Sequence, residues 1–238
     1  MCAMTDRVVL ITGAVGNLGQ AVARAFQRVE ARTVLLDRSS ERLRKTYAET
    51  AGASACMLAG EVDLADAESV GAAVKATLDR YGRIDALVNT VGGFRGGYPV
   101  VEQGSDDWDF LLGVNLKTTL NTSRAVIPTM VAQRAGRIIN VASRAALTGD
   151  AGLAAYSASK AAVLRLTESL AAELKDAGVN ANCVLPGTID TPQNRAAMPA
   201  ADFARWVAPQ DVAGVIVFLA SDAARAITGA AIPVYGRG

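Results

Sequence analysis

Short runs of apolar residues alternate along the chain with longer stretches of helical periodicity. The apolar runs are rich in Val, Ile and Leu and are bounded by turn residues, which is typical of β-strands. They occupy residues 8–13, 33–37, 53–58, 86–90, 137–142, 179–185 and 231–234. The periodic stretches predict helices over residues 18–29, 40–50, 66–80, 106–134, 154–177 and 209–220.

The predicted strands are apolar throughout instead of alternating between apolar and polar residues. Strands of this composition are buried on both faces, and a parallel sheet with helices on each side provides that burial. We therefore expect a three-layer α/β sandwich with a seven-stranded parallel sheet flanked by helices. No linker, repeat or low-complexity tract divides residues 1–238, so the sequence predicts a single domain.

Composition and charge narrow the classes of partner. Lys and Arg total 24 against 23 Asp and Glu, which gives a net charge of +1. A chain without a basic excess has no overall field that attracts nucleic acid or an anionic membrane, so we expect neither partner. The longest apolar run, residues 212–220, is shorter than the roughly 18 residues that span a bilayer. We expect a cytoplasmic protein that acts on a small molecule.

The absence of histidine restricts the chemistry further. A chain with no histidine has no Ser-His-Asp triad and none of the zinc sites that use imidazole. The three cysteines, Cys2, Cys56 and Cys183, lie far apart and form no C-x-x-C pair, so we expect reduced thiols and no metal site. Any acid or base must be another residue type.

A glycine-rich turn follows the first predicted strand. Gly13, Gly16 and Gly19 stand between this strand and the first helix. Glycines let the backbone turn tightly and approach a pyrophosphate, and the helix N-terminus offers free N–H groups and a partial positive charge. The turn therefore predicts a phosphate site, although an ordinary Gly-rich βα turn is the alternative.

The second strand ends at Asp37, 18 positions beyond Gly19. A carboxylate near this spacing accepts hydrogen bonds from the adenosine ribose hydroxyls and repels a 2′-phosphate, which favours NAD over NADP. Arg38 and Arg42 leave NADP as the less favoured alternative, because a guanidinium pairs with phosphate. They are equally compatible with a solvated start of the next helix.

Tyr156 and Lys160 are four residues apart, so they share one face of a helix. A free phenol titrates near pH 10, and a general acid/base near neutrality needs this value lowered by roughly 3 units, about 4 kcal/mol. The Lys160 ammonium and a nicotinamide cation provide such stabilisation. We therefore expect Tyr156 to be the general acid/base, Lys160 also to hold the ribose, and Ser143 to hydrogen-bond the substrate oxygen. An amphipathic helix surface and a turn cap are the alternatives for these residues.

Five motifs in chain order resemble the short-chain dehydrogenase/reductase family. They are T-G-x-x-x-G-x-G at residues 12–19, N-x-x-G at residues 89–92, Ser143, Y-x-x-x-K at residues 156–160 and P-G-x-x-x-T at residues 186–191. The resemblance spans essentially the whole chain and implies a Rossmann-type fold, a nicotinamide cofactor and oxidoreductase activity. It adds Asn115 to Ser143, Tyr156 and Lys160, as the residue that keeps a proton-relay water near Lys160.

The same resemblance implies a set of cofactor contacts. Asp63 is expected beside the adenine, residues 89–92 on the adenosine side and residues 186–189 at the nicotinamide. The full set of expected contacts is Gly13, Val15, Gly16, Asn17, Leu18, Gly19, Asp37, Arg38, Asp63, Leu64, Asn89, Gly92, Tyr156, Lys160, Pro186, Gly187, Thr188 and Ile189.

Residues 91–97 and 185–206 are locally similar to dihydropteridine reductases. The second stretch predicts a substrate-covering segment at about residues 188–206. Phe94, Arg95, Met198 and Trp206 are candidates for lining the pocket, and packing of the segment itself is the alternative for the last two. Dihydropteridine reductases generally lack counterparts of Ser143 and Asn115, so the complete set favours ordinary carbonyl chemistry.

The sequence therefore predicts an NAD(H)-dependent oxidoreductase that acts reversibly on a small carbonyl or alcohol, such as a 3-oxoacyl or keto compound. The alternatives are a dihydropteridine reductase-like activity and a non-catalytic dinucleotide-binding regulator. The predicted helix 154–177 carries apolar or small residues on more than one face. A second buried face favours a homodimer or homotetramer, and cover from another helix of the chain is the alternative.

Overall fold

Seven parallel strands form one sheet in the computed structural model, which describes residues 4–238; Cys2 lies outside that range. The strands are β1 (Val8–Thr12), β2 (Arg32–Leu36), β3 (Cys56–Ala59), β4 (Ala86–Asn89), β5 (Gly136–Val141), β6 (Val179–Pro186) and β7 (Ala231–Val234). Their spatial order is β3-β2-β1-β4-β5-β6-β7. The order reverses between β1 and β4, and such a reversal opens a crevice at the carboxyl ends of the strands.

Helices cover both faces of this sheet. They are α1 (Asn17–Arg28), α2 (Ser40–Thr46), α3 (Ala67–Tyr81), α4 (Ser105–Leu111), α5 (Thr118–Gln133), α6 (Ala154–Leu174), α7 (Pro192–Ala197) and α8 (Pro209–Ala220). Strand β1 shows why both faces need cover, since Val9 and Ile11 pack with α1 and α8 while Val8 and Leu10 pack with α3, α5 and α6. No helix within residues 4–238 is long and apolar enough to cross a membrane.

The predicted fold class is confirmed, and all seven strands lie close to their predicted positions. The helix predicted over 106–134 is present as a continuous helical stretch over 105–133, but it is not uniformly α-helical, because the six residues Leu112–Lys117 form a π-helical turn between α4 and α5. The helix predicted over 40–50 ends at Thr46.

Helix α7 was not predicted, although its signals are present. Thr191 caps it through a side-chain hydrogen bond from the Asn194 amide, and Pro192 occupies its first turn, the position where proline is favoured.

Candidate active site

The turn after β1 requires glycine at particular positions. Gly13 has a left-handed backbone with φ of 62°, a conformation that favours glycine. A Cβ on Gly19 would lie 2.2 Å from the Gly13 carbonyl oxygen, so only glycine lets α1 start this close to the turn. Gly19 therefore shapes the turn by packing against it, and the first amides of α1 remain available to an anion.

A cleft of about 690 Å³ opens beside this turn, above β1, β2 and β4. Eight of the predicted cofactor residues line it: Gly13, Val15, Gly16, Asp37, Arg38, Asp63, Leu64 and Gly92. Apolar Val62 and Leu64 stand next to the carboxylate of Asp63, a combination suited to a flat base with polar edges. The residues present therefore fit the adenosine half of a dinucleotide.

Asp37 is held in place at the end of β2. Its carboxylate accepts long hydrogen bonds from the Ser39 amide at 3.3 Å and the Val15 amide at 3.4 Å. Most of its acceptor capacity therefore remains for a ligand in the cleft. Arg38 and Arg42 line the same cleft. The carboxylate that favours NAD and the guanidinium groups that favour NADP therefore lie at the same site.

Asn89 is placed differently from its neighbours. Its side chain lies inside the protein, where it donates to the Asn140 side chain at 2.9 Å and accepts from the Thr122 hydroxyl at 2.8 Å. Asn140 continues the chain by donating to the Thr167 hydroxyl at 2.9 Å. Asn89 thus fastens β4 to β5, and the cleft is lined instead by the three following residues, 90–92.

Lys160 is buried near the cleft, with 5% of its surface exposed. Its ammonium donates to the Val141 carbonyl oxygen at 3.2 Å. A Cβ on Gly92 would lie 3.0 Å from the Lys160 Nζ and 3.1 Å from the Asn115 Oδ1. Since Gly92 itself lines the cleft, the structure brings Lys160 and Asn115 together beside the cleft.

The π-helical turn positions Asn115. Its side-chain oxygen accepts from the Gly93 amide at 2.9 Å, and its side-chain amide donates to the Ser159 hydroxyl at 2.9 Å. Ser159 in turn donates to the Tyr156 carbonyl oxygen at 2.8 Å. Asn115 therefore ties the loop after β4 to the first turns of α6. Single π turns inside helices occur frequently at functional sites.

Ser143 and Tyr156 meet at the end of β5. The Ser143 hydroxyl accepts from the Ala145 amide at 3.2 Å, so it also caps a turn, as the structural alternative expects. Burial raises the pKa of Tyr156, while hydrogen bonding with Ser143 acts in the opposite direction. Burial also lowers the pKa of Lys160, to about 8. Burial therefore raises the pKa of Tyr156 by more than any lowering that the Lys160 ammonium causes.

The segment expected at the nicotinamide is braced by the C-terminal strand. The Gly187 amide donates to the Val234 carbonyl oxygen at 3.0 Å. A Cβ on Gly187 would lie 3.0 Å from the Tyr235 carbonyl oxygen, so glycine permits the close approach. Val207 donates to the Thr188 carbonyl oxygen at 3.0 Å, which closes the base of the segment 188–206.

That segment reaches back to the glycine turn. The Asn17 side chain donates to the Gln193 side chain on α7 at 2.5 Å. The segment is internally packed as well, since the Phe203 and Trp206 rings lie 4.8 Å apart. The packing alternative therefore describes Trp206, whereas Met198 is exposed.

Several functional contacts were missed in the sequence. Asn140 had only a partial signal, because Asn89 and Asn140 each interrupt an apolar strand, whereas their alignment follows from the observed register of β4 and β5. Ser159 and Gln193 had none, since their partners lie 44 and 176 positions away in the chain.

Comparison with known proteins identifies the family. A family model described as short chain dehydrogenase matches residues 7–202. The chain belongs to the short-chain dehydrogenase family. Members of this family bind a nicotinamide dinucleotide, and the protein is an NAD(P)-dependent oxidoreductase that acts on CH–OH or C=O groups.

Two curated relatives align over nearly the full length. The hydroxy(phenyl)methylsuccinyl-CoA dehydrogenase subunit BbsD of Thauera aromatica is 37% identical, over 97% of this chain and 96% of the relative. The 3-oxoacyl-acyl-carrier-protein reductase FabG of Thermotoga maritima is 35% identical, over 98% of both. Each relative differs from this chain at more than half of the aligned positions. This similarity shows a common family and does not show a common substrate.

Solved structures of the family share the fold. A short-chain type dehydrogenase/reductase from Mycobacterium ulcerans superposes with a TM-score of 0.91 at 28% identity, covering 99% of this chain and 90% of that one. ElxO with NADP bound gives 0.89 at 25% identity, covering 97% of both chains. The similarity to dihydropteridine reductases stays a prediction.

Proposed function

We propose that this short-chain dehydrogenase is an NAD(H)-dependent enzyme for 3-oxoacyl or similar keto compounds and the corresponding alcohols. The observation that carries the proposal is the meeting of Lys160 and Asn115 at Gly92, on the edge of the glycine-lined cleft. Tyr156 and Ser143 interact at the end of β5, and Ser159 joins Tyr156 to Asn115. These contacts support the prediction that the four residues act together.

The chemistry divides between the cofactor and the chain. A bound nicotinamide dinucleotide supplies the hydride for the carbonyl carbon, or accepts it from the alcohol. Tyr156 gives a proton to the carbonyl oxygen in reduction and takes it from the hydroxyl in oxidation. Ser143 donates a hydrogen bond to the same oxygen as negative charge develops. Lys160 binds the ribose through its ammonium.

The protein groups alone do not lower the pKa of the Tyr156 phenol. Burial raises the pKa of Tyr156, so the lowering that the sequence predicts would have to come from the positive charge of a bound oxidised cofactor. A cation next to a phenol favours the phenolate, and the effect is strong where water is excluded. This interpretation makes oxidation of the alcohol, which begins with the cationic ring, the direction in which Tyr156 acts as a base.

The charges in the cleft favour NAD over NADP. Three carboxylates, of Asp37, Asp63 and Asp109, face two guanidinium groups, of Arg38 and Arg42. A 2′-phosphate carries roughly two negative charges. It would add them to a cleft in which carboxylates already outnumber guanidinium groups, next to the carboxylate expected to hold the ribose. ElxO binds NADP, so NADPH belongs in every assay.

The substrate class is supported by the relatives. BbsD is named for an acyl-CoA alcohol and FabG for a 3-oxoacyl group on a carrier protein. Both names place an oxygen function close to a thioester. We infer the same class here, and the presence of Ser143 and Asn115 places pteridine reduction second.

A substrate panel tests this proposal. The protein is mixed with NADH or NADPH and with simple ketones, 3-oxoacyl esters or quinonoid dihydropterin, and loss of reduced cofactor is followed. Turnover of 3-oxoacyl esters with a preference for NADH is expected. Turnover of dihydropterin alone would establish the second candidate. NADH binding without any turnover would favour the non-catalytic regulator.

We also propose that the protein is a homodimer or homotetramer. Exposed apolar side chains at Leu112 and Val131 lie on the π-helical turn and α5. Apolar side chains exposed along one such stretch favour a second subunit. Light scattering coupled to size exclusion is expected to give twice or four times the monomer mass.

A further inference from the structure

Phe94 lies beside the residue proposed as the acid and base. Its ring meets the Tyr156 ring edge-on, with centroids 5.0 Å apart and an interplanar angle of 71°. Edge-to-face pairs at this distance are favourable contacts. Phe94 nevertheless remains 60% exposed, so most of its ring surface is free next to Tyr156.

The loop that carries Phe94 is fastened to the start of α6. The Gly97 amide donates to the Gly152 carbonyl oxygen at 3.0 Å. Gln103 donates to the same oxygen at 3.2 Å and accepts from the Ala155 amide at 3.1 Å. The loop and Tyr156 therefore share one support, and the exposed ring is held in a defined position.

Glycine allows the loop to pass this close. Gly96 has φ of 154°, and a Cβ there would lie 2.9 Å from both the Gly152 carbonyl oxygen and the Leu153 Cδ2. Only a residue without a side chain fits. The conformation that presents Phe94 is thus built into the backbone of the loop.

Arg95 has a different role from its neighbour. It stacks over the Phe110 ring at 4.0 Å and pairs with Asp107 at 3.2 Å. The Arg95 guanidinium therefore lies against α4. The loop side chain that contacts Tyr156 is the uncharged ring of Phe94. A flat apolar surface next to a reacting oxygen favours a flat apolar group on the substrate.

We propose that Phe94 determines specificity by packing against a planar unsaturated group, such as an aryl ring, attached to the reacting carbonyl carbon. This inference rests on the proposed function and names the substrate class of that site. An aromatic pair gains more than the burial of its area, whereas an alkyl group gains only the burial. The site therefore favours aryl ketones over alkyl ketones of similar size.

The test compares ethyl benzoylacetate with ethyl 3-cyclohexyl-3-oxopropanoate, which differ only in a phenyl against a cyclohexyl ring and are therefore similar in size. Phe94→Leu keeps an apolar side chain but removes the aromatic face. It is expected to lower kcat/KM for the phenyl ester by about five- to tenfold and for the cyclohexyl ester by about twofold. Phe94→Tyr retains the ring and is expected to restore the wild-type ratio between the two esters.

Phe218→Leu is the matched control. Phe218 is 42% exposed on α8, outside the candidate site, and this substitution is expected to leave the ratio unchanged. Equal losses for both esters in Phe94→Leu would show that Phe94 only supports Tyr156 and would overturn the inference, as would an unaltered ratio. Failure of the wild-type protein to reduce either ester with NADH or NADPH would overturn the proposed function, and this inference with it.

Discussion

Burial acts in opposite directions on the two ionisable residues of the site. It raises the pKa of Tyr156 and lowers the pKa of Lys160 to about 8, because a low-dielectric surrounding disfavours either charge. The phenol is thereby kept protonated, and the amine is poised close to physiological pH. Proton exchange with a substrate then depends on the charges that the cofactor brings.

Replacing Tyr156 by Phe tests the proton transfer. The variant keeps the ring that Phe94 contacts and loses only the hydroxyl, so kcat is expected to fall by about 10² to 10⁴. The dissociation constant of NADH, measured by fluorescence titration, is expected to change little. Unchanged turnover of every substrate would remove Tyr156 from the proposed catalytic role.

Lys160 is expected to reduce the stability of the protein at neutral pH. Its pKa is lowered from 10.5 to about 8 in the folded protein, so between these values the unfolded chain binds the proton and stability rises with pH. Below pH 8 the folded protein bears the full penalty, up to about 3 kcal/mol. Lys160→Met is therefore expected to be more stable than wild type at pH 7, with a difference that shrinks towards pH 10.

Urea unfolding at several pH values measures this effect. Lys75→Met is the control, because the Lys75 side chain is 76% exposed and its removal is expected to give a difference independent of pH. A wild-type protein more stable than Lys160→Met at pH 7 would contradict the expectation. Burial raises the pKa of Cys183 to about 11, and the Lys160 charge acts in the opposite direction, so the comparison is confined to pH 7 to 10, below the titration of this thiol.

Among the elements, the C-terminal residues hold the end of the segment 188–206. The Arg237 amide donates to the Arg205 carbonyl oxygen at 2.9 Å. Gly236 has φ of 67°, and a Cβ there would lie 2.9 Å from the same oxygen and 3.0 Å from that of Trp206. The tail thus fits against the segment only with glycine at this position.

Gly236→Ala is expected to loosen this contact. The variant should raise KM for substrate by about threefold or more, because about 1 kcal/mol of strain changes an equilibrium about fivefold. Gly52→Ala is a matched control, since Gly52 has φ of 88° and nothing lies within 4 Å of its added Cβ. If both variants lose stability in urea but neither changes KM, the tail does not support the segment.

At the scale of the whole molecule, the reversal of strand order between β1 and β4 places the cleft where the turn, Asp37 and Gly92 converge. A ligand that binds only the folded state stabilises it by mass action. NADH at a hundredfold excess over its dissociation constant is expected to add about 2.7 kcal/mol to the free energy of unfolding.

Thermal unfolding with each cofactor checks the preference for NAD. NADH is expected to raise Tm more than NADPH at equal concentration. Asp37→Asn removes the carboxylate that repels the 2′-phosphate, so it is expected to reduce the difference in Tm between the two cofactors. A larger rise with NADPH would contradict the preference. The same experiment on Tyr156→Phe shows whether cofactor binding is separable from proton transfer.

Some structural features were not predictable from local patterns. The pairing of Asn89 with Asn140 joins residues 51 positions apart, and the π-helical turn around Asn115 is accompanied by contacts with Gly93 and Ser159. The local sequence of residues 106–134 gives no sign of such a turn, because the partners that hold Asn115 lie 22 and 44 positions away in the chain.

The sequence by itself determined the order of strands and helices, the glycine turn and the pairing of Tyr156 with Lys160 on one helix face. These depend on periodicity, turn residues and short spacings, which act between near neighbours in the chain. Only the tertiary structure decided that Phe94 meets Tyr156, that Asn17 binds Gln193 and that the tail fits against Arg205. The physical reason is that these contacts form when packing of the sheet and its helices brings distant segments together.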